Sequence, residues 1–180
     1  MPSPQFSICV YCGARPGTSP VYMEAAQAMG ALIGKNGWRL VFGAGDRGIM
    51  GAVADAARAA GARTLGVIPT HLIGQEMNLR RSDQIITETM HERKKVMLMN
   101  ADAVAVLPGG AGSLDEFFEV LTWAQLGLHD KPIVLVDVGG YWEPLVALID
   151  HVIDQGFADA SMRGLFRVAS DVGEVSDLVK

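Results

Sequence analysis

Short apolar runs alternate with amphipathic stretches along almost the whole chain. The first half begins with an apolar run at 6–11 and a helical pattern at 19–36, and it repeats this pair at 39–42 and 48–60. A third apolar run follows at 64–68. Strands that alternate with helices of this length lie parallel in one sheet, because each helix returns the chain across that sheet. The pattern predicts an α/β fold with a doubly wound, mostly parallel sheet and helices on both faces.

The second half continues this alternation after a long connection. It predicts strands at 84–87, 103–107, 132–136 and 166–169, and helices at 90–100, 113–126, 141–155 and 174–180. The connection at 69–83 is unusually long, and long loops inside compact domains are commonly functional. Because no linker or repeat interrupts the pattern, residues 1–180 are expected to form a single domain.

Composition and charge narrow the classes of partner. The chain has 180 residues, of which 49% are apolar, and a formal net charge of −5. Nucleic-acid-binding proteins usually carry a basic surface, so we expect no nucleic acid partner. The sequence has no apolar run of 18 residues and no basic, apolar leader, which predicts no membrane association and a cytoplasmic location.

The two cysteines, Cys9 and Cys12, form a C-x-x-C motif. This spacing also occurs in redox pairs and in halves of zinc sites. Here Cys9 lies inside an apolar strand, and the chain has no second cysteine pair and no histidines at ligand spacing. We therefore expect ordinary buried thiols and no metal site.

The segment PGGAGSLDE at 108–116 follows an apolar strand and opens a helix. Free amides at a helix start attract phosphate, and glycines let the backbone approach a ligand closely. Glu116 would lie within one turn of such an anion. The alternative is a capping box, in which Ser113 and Glu116 only satisfy backbone amides.

A second glycine-rich turn, GAGDRG at 43–48, matches the G-x-G-x-x-G pattern of dinucleotide-binding folds. It lies in the second strand–helix unit, and no acidic residue that would bind a ribose ends the following strand. PGGAGS in turn lacks the Gly-Lys-Ser/Thr of nucleoside-triphosphate loops. Two glycine-rich turns at one sheet edge still indicate a phosphorylated ligand.

The helix that begins with MHERK carries cations on its apolar side. At about 100° per residue, Arg93 and Lys94 fall on or near the face of Met97 and Leu98. Such a cation needs an anionic partner, because burial of an unpaired charge is costly. Glu116 or a ligand phosphate would be a suitable anionic partner. The alternative is that the side chains of Arg93 and Lys94 extend along the apolar edge of the helix to solvent.

Taken together, GAGDRGIMG, TMHERK, PGGAGSLDE and EVLTWAQLG resemble the LOG family of cytokinin riboside 5′-monophosphate phosphoribohydrolases. The early VYCGARPG and the later HDKPIVLVDVGGYW extend the resemblance over nearly the whole chain. It implies a Rossmann-like fold, a homodimer, no cofactor, and hydrolysis of the bond between an adenine base and ribose 5-phosphate. Some members are labelled lysine decarboxylases, but no lysine here has a convincing context for a Schiff base.

The resemblance also implies roles for individual residues. Arg93 and Glu116 would be catalytic. The expected substrate and phosphate contacts are Glu76, Met90, Lys94, Gly109, Gly110, Ala111, Gly112, Ser113, Leu114, Asp115 and Thr122.

Two positions depart from the family pattern. Ser113 stands where threonine is usual and keeps the hydroxyl, whereas Ala14 replaces a common serine and removes one.

Glycosidic bond cleavage builds positive charge on the sugar, which a carboxylate stabilises. A helix N-terminus favours the ionised carboxylate, so Glu116 is expected to be charged and to act as electrostatic stabiliser and base. Arg93 remains protonated and would act as a clamp. The group that protonates the leaving base is not identified by the sequence. A non-catalytic carrier or sensor of a nucleotide or a phosphorylated pterin-like ligand is the alternative function.

Overall fold

A computed structural model describes residues 5–74 and 83–180 of the chain. The strands are β1 (Ser7–Tyr11), β2 (Arg39–Phe42), β3 (Thr64–Pro69), β4 (Asp83–Thr87), β5 (Ala103–Val106), β6 (Ile133–Val136) and β7 (Arg167–Ala169). The α-helices are α1 (Pro20–Lys35), α2 (Gly48–Ala59), α3 (Met90–Met99), α4 (Ala111–Gln125), α5 (Glu143–Asp154) and α6 (Val175–Leu178).

The described strands form one sheet of seven in the order β4-β3-β2-β1-β5-β6-β7, and every pairing is parallel. Strand order reverses between β1 and β5. This topology is the predicted α/β, Rossmann-like arrangement, with a wholly parallel sheet in place of a mostly parallel one. In such sheets the crevice for ligands opens beyond the carboxyl ends of the strands on either side of that reversal.

Alternate residues of β1 face opposite layers of the molecule. Ile8 and Val10 pack with α1 and α2, whereas Cys9 and Tyr11 pack with α3 and α4. Cys12 belongs to the first layer, so it lies on the opposite side of the sheet from Cys9. Both thiols are free and buried, in agreement with the interpretation of C-x-x-C as two structural cysteines.

Local signals predicted the first helix closely. Ser19 is its N-cap and accepts a hydrogen bond from the amide of Val21, Pro20 occupies the first helical position, and Gly37 has φ of +66° just beyond the end. These residues match the usual start and stop chemistry of helices. None of the helices in the described ranges has the length and apolar character that a membrane crossing requires.

Candidate functional site

A cavity of about 540 Å³ opens at the carboxyl ends of β1 and β5, where strand order reverses. One wall comes from the loop after β1 and the start of α2. The other comes from the loop after β5 and the first turns of α4, and Met90 and Arg93 of α3 complete the lining. The fold therefore places PGGAGSLDE and MHERK at one cavity, as their positions after parallel strands predict.

The glycine loop after β5 leaves the start of α4 open to a ligand. Gly110 is the N-cap residue, and no side chain caps the first turn. A Cβ atom added at Gly110 or Gly112 would meet no described atom within 4 Å. The helix begins at Ala111, two residues before the predicted start, so the capping-box interpretation of Ser113 and Glu116 is wrong. The first-turn amides remain available to an anion.

Close packing holds this loop against the loop after β1. The amide of Gly13 donates to the carbonyl of Pro108 at 3.0 Å, and a Cβ at Gly109 would lie 2.0 Å from Ser113 Oγ. The hydroxyl of Tyr141 donates to the carbonyl of Gly109 at 2.6 Å. A side chain at position 109 would collide with Ser113, so glycine is required there. The loop after β5 is held by its contacts with Gly13, Ser113 and Tyr141.

Arg93 is buried, as the helical pattern predicted, but its partners are backbone carbonyls. Its Nε donates to the carbonyl of Val67 at 3.1 Å, and its Nη2 donates to the carbonyl of Gly43 at 2.8 Å. It forms no ion pair with Glu116 or with any other residue in the described ranges. The guanidinium therefore joins the ends of β2 and β3 to α3 while lying at the cavity wall.

Lys94 is also buried, with its ammonium between two carboxylates of α4. Its Nζ lies 2.9 Å from Asp115 Oδ2 and 2.8 Å from Glu119 Oε2. Burial alone would lower the pKa of Lys94, but hydrogen bonds to Glu119 and Asp115 outweigh it and raise the pKa. A Schiff-base lysine must lose its proton to attack a carbonyl. The surroundings of Lys94 oppose that loss, so this lysine is unsuited to such chemistry.

Glu116 lines the cavity one turn into α4. Burial raises the pKa of its carboxyl from 4.5 to about 7, and Asp115 and Glu119 contribute in the same direction, whereas Arg93 and Lys94 oppose them. The helix N-terminus was expected to favour the ionised form of Glu116, but burial shifts the pKa of this carboxyl in the opposite direction. Desolvation by the surrounding core outweighs the helix dipole, whose effect on a charge is modest. At neutral pH the carboxyl is divided between its two protonation states.

Comparison of the sequence with known proteins identifies the family. Residues 50–179 match a protein family described as "Possible lysine decarboxylase". The cytokinin riboside 5′-monophosphate phosphoribohydrolase of Mycobacterium tuberculosis is 46% identical over 153 residues, which cover 84% of this chain and 81% of that protein. LOG5 of Arabidopsis thaliana, a cytokinin riboside 5′-monophosphate phosphoribohydrolase, is 39% identical over 93% of this chain and 74% of its own. The chain belongs to the LOG family. It is an enzyme of the phosphoribohydrolase class.

Solved structures with lower sequence identity to this chain share its fold. The molybdenum cofactor binding protein of Rippkaea orientalis superposes with a TM-score of 0.74 at 21% identity, covering 98% of this chain and 96% of that one. The molybdenum cofactor carrier protein of Chlamydomonas reinhardtii gives a TM-score of 0.74 at 24% identity, covering 97% and 98%. At such identity the likeness establishes architecture alone.

The LOG-family resemblance implied further contact residues, and the structure places most of them at the cavity. The residues that line it are Met90, Arg93, Gly109, Gly110, Ala111, Gly112, Ser113, Asp115 and Glu116. Three others lie outside the lining: Lys94 is held by α4, Leu114 packs against the core, and the Thr122 hydroxyl donates to the carbonyl of Phe118 at 2.7 Å. Glu76 lies outside the described residues.

Several cavity or neighbouring residues were missed by sequence reasoning. Tyr22 and Tyr141 line the cavity and contact each other edge to face, with ring centroids 5.5 Å apart. Arg15 also lines it and has no hydrogen bond or ion pair with any residue in ranges 5–74 and 83–180. Glu119 is a partner of Lys94. Arg15 belongs to the CGARPG segment that directly follows β1. Its position at the carboxyl end of a strand was the signal that could have indicated a place at the cavity.

Proposed function

We propose that the chain hydrolyses the N-glycosidic bond of cytokinin riboside 5′-monophosphates, which carry an N6-substituted adenine, and releases the free base and ribose 5-phosphate. AMP is a second candidate substrate. The observation that carries this proposal is the position of Glu116 in one cavity with the uncapped glycine start of α4. The uncapped helix start suits a phosphate, and a half-buried carboxyl lines the same cavity.

The phosphate end is supported by the backbone around Gly110 and Gly112. Their amide groups lie at the positive end of α4, and no side chain of the described residues competes for them. Arg15, in the loop after β1, adds a cation to the lining of the same cavity, and it has no ion pair within ranges 5–74 and 83–180. Binding energy gained at the phosphate would orient the sugar for reaction, so removal of the phosphate should reduce turnover as well as affinity.

The reactive end is supported by the surroundings of Glu116. Cleavage of the glycosidic bond builds positive charge at the anomeric carbon, which an adjacent carboxylate stabilises. A pKa of about 7 suits general acid–base chemistry at neutral pH, because both protonation states are populated. In its ionised form Glu116 would stabilise the sugar cation and accept a proton from the attacking water.

Arg93 would serve this reaction by positioning. Two of its donors are used by carbonyls, and its remaining edge faces Met90, whose sulfur lies 3.7 Å from Nη1. Its positive charge lowers the pKa of Glu116 against the effect of burial. Substrate contact by Lys94, Leu114, Thr122 and Glu76 stays a prediction from the family pattern.

A cytoplasmic homodimer is part of the proposal. Phe118 is 38% exposed on α4, and Trp123 follows on the same helix. An exposed aromatic residue on a helix suits an interface with a second copy. Light scattering on the purified protein measures the mass directly, and a monomer at micromolar concentration would refute the dimer.

The decisive test is hydrolysis by purified protein. Prenylated AMP and AMP are incubated with the native chain, and free base and ribose 5-phosphate are quantified. Glu116→Gln should abolish base release while leaving monophosphate binding measurable by calorimetry. Glu24→Gln, which changes an exposed carboxyl of α1 away from the cavity, is the matched control and should retain full turnover.

The outcomes separate enzyme from carrier. Full activity in Glu116→Gln would remove the assignment of the carboxyl. Monophosphate binding by the native chain without release of base from any nucleoside monophosphate would favour the carrier or sensor.

A further inference from the structure

Tyr141 bonds to the glycine loop from a distant part of the chain. Its hydroxyl donates to the carbonyl of Gly109 at 2.6 Å, although 32 residues separate the two in sequence. Tyr141 is 36% exposed and lines the same cavity as Glu116. The hydroxyl therefore reaches the loop at the end of the cavity where the proposed function puts the phosphate.

The turn between β6 and α5 brings Tyr141 to this position. Gly139 and Gly140 have φ of +62° and +75°, a region that glycine enters without strain. Trp142, the next residue after Tyr141, is buried, and its indole donates to the carbonyl of Val106 at 3.1 Å. Two consecutive residues of one turn thus bond to the backbone, one at the end of β5 and one in the loop that follows it.

Aromatic contacts hold the ring of Tyr141 on two sides. The ring meets Trp142 edge to face with centroids 4.8 Å apart, and it meets Tyr22 of α1 in the same manner at 5.5 Å. Tyr22 in turn packs against the loop after β1, where a Cβ at Gly17 would lie 2.6 Å from its ring. Edge-to-face contacts favour a defined ring orientation. These contacts do not involve the hydroxyl, so they remain when phenylalanine replaces Tyr141.

Three consecutive carbonyls of the glycine loop each accept a hydrogen bond. The donors are the amide of Gly13 to Pro108 at 3.0 Å, the hydroxyl of Tyr141 to Gly109 at 2.6 Å, and the amide of Leu114 to Gly110 at 3.1 Å. Only the middle bond comes from a side chain. A substitution can therefore remove it and leave the two backbone bonds in place.

The bond to the carbonyl of Gly109 also determines the direction of the Gly110 amide. A peptide bond is planar, so a contact that fixes its carbonyl fixes its N–H as well. Glycines have more conformational freedom than other residues, and a Cβ at Gly110 would have no described atom within 4 Å. The hydroxyl of Tyr141 is thus a restraint on a peptide that lies between two glycines.

We propose that Tyr141 is a positioning residue whose hydroxyl holds the peptide between Gly109 and Gly110 in the orientation in which the Gly110 amide binds the substrate phosphate. Gly110 is the N-cap residue of α4, and no side chain caps the first turn. A donor that is already oriented loses less conformational freedom when it binds an anion. This inference deepens the proposed function and rests on it for the phosphate.

The test removes the hydroxyl and keeps the ring. Ribose 5-phosphate is titrated into the native chain and into Tyr141→Phe, and its affinity is measured by calorimetry. Loss of the hydrogen bond should weaken binding about 3- to 10-fold. In turnover assays kcat/KM for the monophosphate should fall by a similar factor.

NMR on uniformly ¹⁵N- and ¹³C-labelled protein supplies a readout that does not depend on activity. The amide signal of Gly110 should shift when ribose 5-phosphate binds to the native chain, and the shift should be smaller in Tyr141→Phe at equal saturation. Gly37 and Gly61 follow α1 and α2 outside the cavity lining, and their signals are the internal control. A merely structural role for Tyr141 would move these signals as well.

Three results would overturn the inference. The first is native affinity for ribose 5-phosphate in Tyr141→Phe, and the second is a native response of the Gly110 signal in that variant. The third is a change at Gly37 and Gly61 as large as that at Gly110. Tyr141→Ala removes both ring and hydroxyl and should weaken binding at least as much as Tyr141→Phe. A loss confined to Tyr141→Ala would assign the effect to the ring and would also overturn the inference.

The two proposals fail in distinguishable ways. If the native chain binds ribose 5-phosphate but releases no base, the proposed hydrolysis fails, while weaker binding and a smaller Gly110 shift in Tyr141→Phe still support the positioning role. If the native chain hydrolyses monophosphates and Tyr141→Phe binds ribose 5-phosphate with native affinity, only the inference about Tyr141 fails.

Discussion

Glu116→Gln should stabilise the folded protein at alkaline pH although it removes the proposed catalytic carboxyl. The carboxyl has a pKa of about 7 in the folded chain against 4.5 for its ordinary value. The folded state therefore binds this proton more tightly than the unfolded state. Its contribution to stability is complete below pH 4.5 and is lost as pH rises through about 7.

The size of this effect follows from the two pKa values. The difference between them corresponds to about 3 kcal/mol of unfolding free energy, of which about 2–3 kcal/mol is lost between pH 5 and pH 8. Glutamine is neutral throughout, so Glu116→Gln escapes this loss. The difference in stability between variant and native protein should therefore grow with pH in favour of the variant.

Urea unfolding followed by circular dichroism at intervals from pH 5 to pH 8.5 measures this difference. Glu24→Gln alters an exposed carboxyl outside the cavity lining and is the control, measured at the same pH values. If Glu116→Gln behaves like this control, burial of Glu116 does not raise its pKa and the reasoning is refuted.

Two further predictions concern the packing at the cavity and beside it. Gly109→Ala would place a Cβ 2.0 Å from Ser113 Oγ, so we expect lower thermal stability and loss of monophosphate binding. Gly110→Ala should retain the stability of the native protein, because a Cβ at this position would have no described atom within 4 Å. Equal melting temperatures of the two variants would contradict this expectation. Lys94→Met leaves the carboxylate of Glu119, which is 19% exposed, without its cation. We expect a loss of about 2–3 kcal/mol of unfolding free energy, measured by urea unfolding. This loss is smaller than for a fully buried pair because the other partner of Lys94, Asp115, is largely exposed. A loss below about 0.5 kcal/mol would class this contact with ordinary surface ion pairs.

The fold could be predicted from sequence because its signals are local and repeated. Ser19, Pro20 and Gly37 mark the ends of α1, and apolar runs at 39–42 and 103–107 correspond to strands. The start of α4 was missed because Ser113 is a better capping residue than Gly110 on local grounds. The observed start depends on the packing of Gly109 against the loop after β1, which the local pattern does not contain.

Many of the residues that line the cavity were predicted from the sequence, but their electrostatics were not. The inward direction of Arg93 follows from helical spacing, whereas its carbonyl partners lie 26 and 50 residues earlier in the chain. Glu116 was expected to be ionised because only the helix dipole is visible locally. Its desolvation arises from β1 and α3, which the fold brings against α4.

Arg93 joins α3 to the ends of β2 and β3 at the wall of the cavity. Strands β1 to β4 come from residues before 88 and strands β5 to β7 from residues after 102, and the two groups lie side by side in the sheet. Arg93 follows the first group in sequence, yet its guanidinium reaches back to the carbonyls of Gly43 and Val67. Removal of this side chain would free α3 from the ends of β2 and β3 and alter the part of the cavity wall that Met90 and Arg93 form. Loss of activity in an Arg93 variant could therefore result from a changed cavity shape as well as from a direct effect on the reaction. Only a variant that still binds the ligand with native geometry would distinguish these two causes.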